Sequence, residues 1–338
     1  MVDAAFEVAM DAPPIMRIDA LEDFPESLRG GVLAIGNFDG VHRGHQTVLN
    51  AALERRQPGS LPATVLTFEP HPRTVFKPDH PVFRLTPAPL KARLVGVLGF
   101  DAIIELPFTR DFAAVTAADF VDDILVARLG IRNVVTGFNF HFGKARQGSP
   151  DFLRDVGRHH GFGVTVVEPF RDEHTAPVSS SRIRQALSIG AVGEAAALLG
   201  YRYTVDAAVI RGQQLGRKLG FPTANMALPP QTGIKPGIYA VRFRRANGAL
   251  HDGVASFGRR PTVVDDGAVL LETFVFDFDQ DLYGEVCSVS FVAHLRDEEK
   301  FDGLEPLIRQ MRRDSEEARA ALSGVRPLGP LDRMLAFA

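Results

Sequence analysis

At 338 residues and 36.9 kDa the chain exceeds one typical domain, and about 150 residues per domain points to two. Apolar residues at 45% and charged residues at 23% are ordinary globular usage, which excludes a disordered, collagen-like or coiled-coil chain. The first 200 residues carry 20 basic against 23 acidic side chains and the remainder 18 against 18. Neither part has the basic excess of a protein that grips a nucleic-acid backbone. Cys287 is the single cysteine, so an intrachain disulfide framework and a cysteine-based zinc site are excluded. It alternates with Val289 and Phe291 and is expected to face the core of a strand. The N-terminal MVDAAFEVAMDAPP has three acidic residues and no basic one before Arg17, unlike a signal or transit peptide. No run of about 18 apolar residues appears, so the expectation is a cytoplasmic protein with no membrane contact.

In chain order, residues 32–35, 63–68, 102–104, 134–136 and 164–167 read as buried strands, separated by helix-like segments at 45–55, 90–98, 117–129 and 150–160. Buried strands with intervening helices imply a doubly wound parallel α/β sheet. Residues 184–199 read as a helical connector broken by Gly190, Gly193 and Gly200. Beyond residue 200, β-rich runs at 203–210, 237–244, 250–256, 269–278 and 286–292 suggest an antiparallel barrel or sandwich. Asn247-Gly248 between two of them is a hairpin signal. Leu304, Leu307, Ile308 and Met311 then give one buried helical face.

The most informative segment is Gly36-Asn37-Phe38-Asp39-Gly40-Val41-His42-Arg43-Gly44-His45, which follows the first buried strand and opens a helix. In open α/β sheets ligands bind beyond the carboxyl ends of strands, and a helix N-terminus attracts anions. His42 and His45, three residues apart, can share one side and donate to a phosphate whose charge grows in a transition state. Taken alone, the pair also reads as a metal pair or as surface histidines, although no carboxylate or cysteine is spaced to complete a metal site. Ser179-Ser180-Ser181-Arg182-Ile183-Arg184 offers hydroxyls and guanidinium groups at another helix start; by itself it equally reads as a serine cap. Glu69-Pro70-His71-Pro72-Arg73 follows the second strand, on the ligand side or as a rigid proline loop.

In the second half, Gly212, Gly216 and Gly220 with Arg217 and Lys218 suit a loop folding over phosphates, or a mobile turn. Thr223 and Asn225 after Pro222 bring neutral oxygens together, as a magnesium ion shared with ATP requires. Strand alternation places Glu272 on one face with Phe274, Phe276 and Phe278, and Thr273, Val275 and Asp277 on the other. A carboxylate among aromatics is costly unless paired or used, which makes Glu272 a general-base candidate; the alternative is an exposed strand start paired with an arginine.

GNFDGVHRGH, TFEPHPR, GFNFHFGKARQG (137–148) and VSSSRIRQAL together resemble the HxGH nucleotidylyltransferase superfamily, specifically the adenylyltransferase half of bacterial bifunctional riboflavin kinase/FAD synthetases. GRKLGFPTAN, PGIY (236–239), VASFGRRPTV (254–263), LETFVFDF and DLYG (281–284) resemble the riboflavin kinase module of the same family. The resemblance implies a doubly wound HxGH-like domain over 15–186, a connector over 187–201 and a kinase barrel with a terminal helix over 202–338. It implies that His42 and His45 stabilise adenylyl transfer, while Gly36, Asn37, Phe38, Asp39, Gly40, Ser179, Ser180, Ser181 and Arg184 contact ATP. His71, Asn139 and Arg146 become flavin-site candidates. In the kinase module it implies that Gly212, Gly216, Arg217, Lys218, Gly220 and Pro222 bind ATP, Thr223 and Asn225 hold Mg–ATP, and Glu272 deprotonates the ribityl hydroxyl. The family often has threonine at Ser181, aspartate at Asn139 and histidine at Phe274. The expected reactions convert riboflavin to FMN and then FMN to FAD, with ATP and Mg2+, in a monomer or weak homo-oligomer whose partners are small molecules and not nucleic acid. The alternatives are a monofunctional riboflavin kinase with an idle first domain and a non-catalytic flavin carrier.

Overall fold

A computed structural model describes residues 15–56, 61–212, 216, 219–259 and 269–337. The chain divides into two compact units, one ending at Ser180 and the other beginning at Ser181.

The first unit is built on six parallel strands: β1 (Met16–Ile18), β2 (Val32–Ile35), β3 (Ala63–Glu69), β4 (Ala102–Pro107), β5 (Asn133–Gly137) and β6 (Gly163–Val167), in the order β1-β4-β3-β2-β5-β6. All four residues of β2 are buried, as expected of a parallel strand covered on both faces. Helices α1 (Arg43–Arg55), α2 (Pro72–Phe76), α3 (Ala88–Val97), α4 (Ala117–Asp119) and α5 (Pro150–His160) connect the strands. Ser149 caps α5, Pro150 sits in its first turn and Gly161 closes it at φ 79°, the local chemistry that makes this helix legible. The strands step outward from β2 to β3 to β4, and the chain then returns to place β5 on the other side of β2. The reversal makes the carboxyl ends of β2 and β5 the switch point at which such sheets bind ligands.

Three expectations change here. The N-terminal Met16–Ile18 forms an unforeseen edge strand beside β4. β6 is only half-buried, because it pairs with β5 alone and lies at the opposite edge. The helix expected over 117–129 is present but takes π-helical geometry over Phe120–Arg128.

Helix α6 (Ser180–Ser188) starts at the last residue of the first unit, and α7 (Val192–Leu199) follows in the second, ending at Gly200 in the left-handed conformation. Six antiparallel strands follow: β7 (Thr204–Ile210), β8 (Thr223–Leu228), β9 (Gly237–Arg244), β10 (Leu250–Arg259), β11 (Val269–Val275) and β12 (Val286–Arg296). They close into a barrel in the order β10-β11-β8-β7-β12-β9, with β9 pairing back to β10. The Asn247-Gly248 hairpin forms, with Gly248 at φ 89°. Cys287 is buried in β12. β8 is a strand where the sequence pattern gives no strand signal, since its Thr-Ala-Asn-Met-Ala-Leu lacks β-branched residues beyond the first. β11 stops at Val275, where Asp277 turns to φ 54°.

The terminal helices are α8 (Leu304–Leu322) and α9 (Pro330–Ala336). Leu304 is exposed and Leu307, Ile308 and Met311 are half-buried; the deeply buried stripe of α8 is Asp314, Ala318 and Leu322. Ala318 and Leu322 pack on Ala240, Val254 and Phe276 on the outside of the barrel. Asp314 is tolerated there because Arg296 donates to both its oxygens at 2.8 and 2.7 Å.

Candidate functional site

In the first unit the loop leaving β2 is conformationally unusual. Phe38 and Val41 have φ of 46° and 37°, which is rare for side-chain-bearing residues and more so for β-branched valine, and Gly40 has φ 97°. The loop delivers His42 to the N-cap of α1, where its Nδ1 accepts from the His45 amide at 3.2 Å. That contact fixes the tautomer, leaving Nε2–H as the donor. The His42 and His45 rings stack with centroids 3.6 Å apart and planes 17° from parallel. The i,i+3 spacing therefore does bring both imidazoles together at the N-terminus of a 13-residue helix. His45 also meets the Phe38 ring edge-on at 5.4 Å. Burial, then the neighbouring His42 and Lys91, hold the His45 pKa well below the ordinary value, so the ring is neutral at pH 7.

The backbone around the pair is pinned. Asp39 is buried, and its Oδ1 accepts from the Leu85 and Thr86 amides at 3.0 Å each. Gly40 N–H donates to Thr86 Oγ1 at 2.8 Å, and the Ser180 hydroxyl donates to the Asp39 carbonyl at 2.7 Å. Ser180 thus reaches the GNFDG loop across 141 positions of sequence. Asp39 holds loop backbone with its carboxylate, whereas Asn37 is exposed and its carbonyl accepts from Thr67 at 3.1 Å. His71 caps α2, its Nδ1 accepting from the Arg73 amide at 3.1 Å. Asn139 lies two residues past the end of β5, exposed, with its Oδ1 near Gly137. Arg146 is exposed at φ 59° in the following loop. Ser179 is half-buried. Ser181 and Arg184 follow on the first turns of α6, exposed and half-buried.

Missing from the sequence reading is a charged network beneath this loop. Arg84 donates to both oxygens of Glu69 at 2.6 and 2.7 Å, and Lys91 Nζ donates to Glu69 at 2.8 Å and to Thr67 Oγ1 at 2.9 Å. Lys91 is fully buried. Its signal was a lone lysine inside the apolar face of a helix, among Leu90, Ala92, Leu94 and Val95. Burial pushes the Glu69 carboxyl up, but Arg84's hydrogen bonds and the charges of Lys91 and Arg84 outweigh it and hold it at about 2.

In the second unit, antiparallel register sets Glu272 of β11 directly opposite Asn225 of β8 on one side and Ser256 of β10 on the other. Thr223 stands opposite Phe274. Directly paired residues share a face, so Thr223, Asn225, Ser256, Glu272 and Phe274 lie together on the outside of the barrel, while Leu271, Thr273 and Val275 point inward. The expected grouping of Glu272 with Phe274 holds, and Phe276 joins Phe274 at 5.6 Å although β11 has ended. Phe221 meets Phe274 edge-on at 5.2 Å.

Asn225 is buried; its Nδ2 donates to the Thr223 carbonyl and hydroxyl at 3.1 and 3.4 Å, while its Oδ1 has no hydrogen-bond partner among the described residues. A Cβ on Gly212 would fall 2.7 Å from the Asn225 amide, so glycine is what lets that backbone close on the side chain. A buried amide oxygen without a donor, beside the Thr223 hydroxyl, fits a hard cation that also takes phosphate oxygens. Among the described residues no cluster of histidine, cysteine and carboxylates could hold a metal alone. Gly216 and Gly220 are described, and the Phe221 amide donates to the Gly216 carbonyl at 2.8 Å; Arg217 and Lys218 lie outside the described residues. Pro222 is exposed just before β8.

A stacked histidine pair at a helix start of a doubly wound sheet, joined in one chain to a barrel that aligns a carboxylate with a Thr–Asn strand, defines a two-module transferase of phosphorus-bearing groups. The FAD synthetase family model matches residues 24–182 and the riboflavin kinase model residues 199–322. The bifunctional riboflavin kinase/FMN adenylyltransferase of Listeria monocytogenes is 40% identical over 296 residues, 86% of this chain and 91% of that protein. The protein of the same name from Escherichia coli K12 is 37% identical over 298 residues, 88% of this chain and 95% of that one. A crystal structure from Streptococcus pneumoniae, named as a macrolide-efflux protein, superposes with TM-score 0.80 at 30% identity, covering 91% of this chain and 99% of that one. The chain belongs to the bifunctional riboflavin kinase/FMN adenylyltransferase family. Among the described residues no helix is long and apolar enough to cross a membrane.

Proposed function

We propose that the barrel unit transfers the γ-phosphoryl group of ATP to riboflavin, giving FMN and ADP, and that the parallel-sheet unit transfers AMP from a second ATP to FMN, giving FAD and pyrophosphate. The observation that carries this reading is that each unit holds its own transfer constellation: the His42–His45 stack in one and the Glu272–Asn225 pair in the other.

In adenylyl transfer an FMN phosphate oxygen attacks the α-phosphorus and pyrophosphate leaves, so no side-chain nucleophile is required. The need is for donors aimed at growing negative charge. His42 supplies Nε2–H, with its other nitrogen occupied by the His45 amide. The free amides of α1 and its dipole add positive potential. His71, Asn139 and Arg146 stand on loops that leave carboxyl ends of strands, which supports them as flavin contacts. Ser179, Ser180, Ser181 and Arg184 are assigned to the ATP phosphates, supported by the Ser180–Asp39 contact.

In the barrel, Glu272 takes the proton of the ribityl hydroxyl as that oxygen attacks the γ-phosphorus. Asn225 Oδ1 and Thr223 Oγ1 are the groups that would hold Mg2+ with ATP. When bound, the ion neutralises phosphate charge as it shifts toward the leaving group. Gly212, Gly216, Arg217, Lys218, Gly220 and Pro222 are assigned to the nucleotide. Phe274 stands against Phe221 where many relatives place a histidine, so the base here lacks an imidazole neighbour at that position.

We assign functional boundaries at 15–186, 187–201 and 202–338, a cytoplasmic location, small-molecule partners without nucleic acid, and a monomer or weak homo-oligomer. The absence of basic excess in either part of the chain supports the lack of a nucleic-acid partner.

A chromatographic time course with riboflavin, ATP and magnesium tests the reading, with FMN expected first and FAD after it. Glu272→Gln is expected to stop FMN formation yet leave FAD formation from added FMN, and His42→Ala to do the reverse. Either variant stopping both reactions while still folded defeats the assignment of separate sites. FMN alone from the unaltered protein means an idle first unit, and bound flavin without turnover means a carrier.

A further inference from the structure

The Phe38–Val41 stretch holds three positive-φ residues, and Thr67, Asp39 and Thr86, which fix the backbone of the loop, are buried. The connections run inward in two chains. Lys91 donates to the Thr67 hydroxyl, and that hydroxyl donates in turn to the Asn37 carbonyl. Arg84, clamped on Glu69, lies with its Nε 3.5 Å from Asp39, whose carboxylate holds the Leu85 and Thr86 amides; Thr86 then accepts from Gly40 N–H. Glu69 joins the two chains, since it accepts from both Lys91 and Arg84.

We infer that Thr67 and Lys91, with Glu69 and Arg84, are positioning residues for adenylyl transfer, holding the Asn37–Gly40 backbone in the strained shape that presents His42 and the start of α1 to the nucleotide. The inference rests on the adenylyltransferase reading of this unit. Thr67 and Lys91 are both fully buried and act on the reaction only through the loop. Strained backbone persists only where its surroundings over-determine it. A hydrogen-bonded network of charges in a low-dielectric interior is a stiff means of doing so. Thr67 is the critical link, because one hydroxyl accepts from the cation and donates to the loop at once. Without that hydroxyl the Asn37 carbonyl loses its donor and Lys91 one of its two acceptors. The loop is then free to relax by a few tenths of an ångström, while the outline of the core is kept.

The test uses the full chain with three variants at one position. Thr67→Val keeps the branched shape and removes both hydrogen bonds; Thr67→Ser keeps the hydroxyl and removes a methyl group. FMN adenylylation is measured over ranges of ATP and FMN, and riboflavin phosphorylation in the same preparations serves as a control on the other unit. The expected result is a kcat/KM for adenylylation about tenfold or more lower in Thr67→Val, because misplacement of this kind is costly to reacting geometry. The loss is expected in kcat and in KM for ATP with KM for FMN unchanged, and recovered in Thr67→Ser, while riboflavin phosphorylation stays at the unaltered rate. Should Thr67→Val fail to fold by circular dichroism, the pair Thr67→Ser and Thr67→Ala makes the same comparison, with only the alanine variant expected to lose activity. Adenylylation unchanged in folded Thr67→Val, or serine and alanine variants equally impaired, overturns the inference. No FAD from the unaltered chain fails the adenylyltransferase reading instead, and the two failures are distinguishable.

Discussion

Replacing Glu69 by glutamine removes one negative charge from between two cations without changing side-chain volume. Its carboxyl is held at about 2 against an ordinary 4.5, although burial alone would raise it. At about 1.4 kcal/mol per unit, the ionised carboxylate contributes about 3 kcal/mol to folding at neutral pH. The side chain is only 21% exposed, so solvent screening reduces this little. The figure also matches the about 3–5 kcal/mol expected when one partner of a buried ion pair is deleted. Because the folded-state value is depressed, the stabilisation is complete above about pH 4.5 and is lost as pH falls toward 2. Glutamine does not titrate, so the difference between the two proteins should shrink to about half by pH 3. Lys91, fully buried and already pushed below the ordinary lysine range by that burial, sheds its proton more readily in the variant, which limits the cost.

Urea titrations at pH 7 and pH 3, followed by far-ultraviolet circular dichroism, measure this difference. The sequence provides an internal control: there is no tryptophan, and the four tyrosines are Tyr201, Tyr203, Tyr239 and Tyr283, all in the barrel unit. Tyrosine fluorescence therefore follows the barrel, and its transition should stay in place while the dichroism transition moves. A loss below about 1 kcal/mol at pH 7, or an equal loss at both pH values, refutes the electrostatic reasoning.

Gly212→Ala puts a Cβ within 2.7 Å of the Asn225 amide, so riboflavin phosphorylation should fall about tenfold or more while adenylylation of added FMN is kept; unchanged phosphorylation would remove Asn225 from the site. Burial, reinforced by the charge of Glu285, pushes the Cys287 thiol up to about 12. Alkylation of this lone cysteine by iodoacetamide at pH 8 should thus be at least about a hundredfold slower in the native chain than in urea, and rapid native labelling would show that β12 is not packed as described.

The elements that local chemistry marks were legible in the chain. Pro150–His160 carries its own cap, first-turn proline and terminal glycine, and Asn247-Gly248 carries its own turn. His42 and His45 meet because three residues is nearly one helical turn, a relation fixed by the backbone and independent of the rest of the fold. The general grouping of Glu272 with Phe274 follows in the same way from the two-residue period of a strand.

Other features required partners distant in sequence. β5 lies beside β2 with about a hundred residues between them, and only that parallel pairing makes a switch point of the two loops that follow. Asn225 is a strand residue opposite Glu272 because closure of the barrel selects β8 to pair with β11, whereas its local sequence has weak strand character. Lys91 interrupts an apolar helix, and its acceptors Glu69 and Thr67 are brought to it only by the fold. Periodicity, capping and turn chemistry act over a few residues and can be read from sequence. Strand order, register and the pairing of buried charges depend on which segments the core forces together, and these the tertiary structure alone decided.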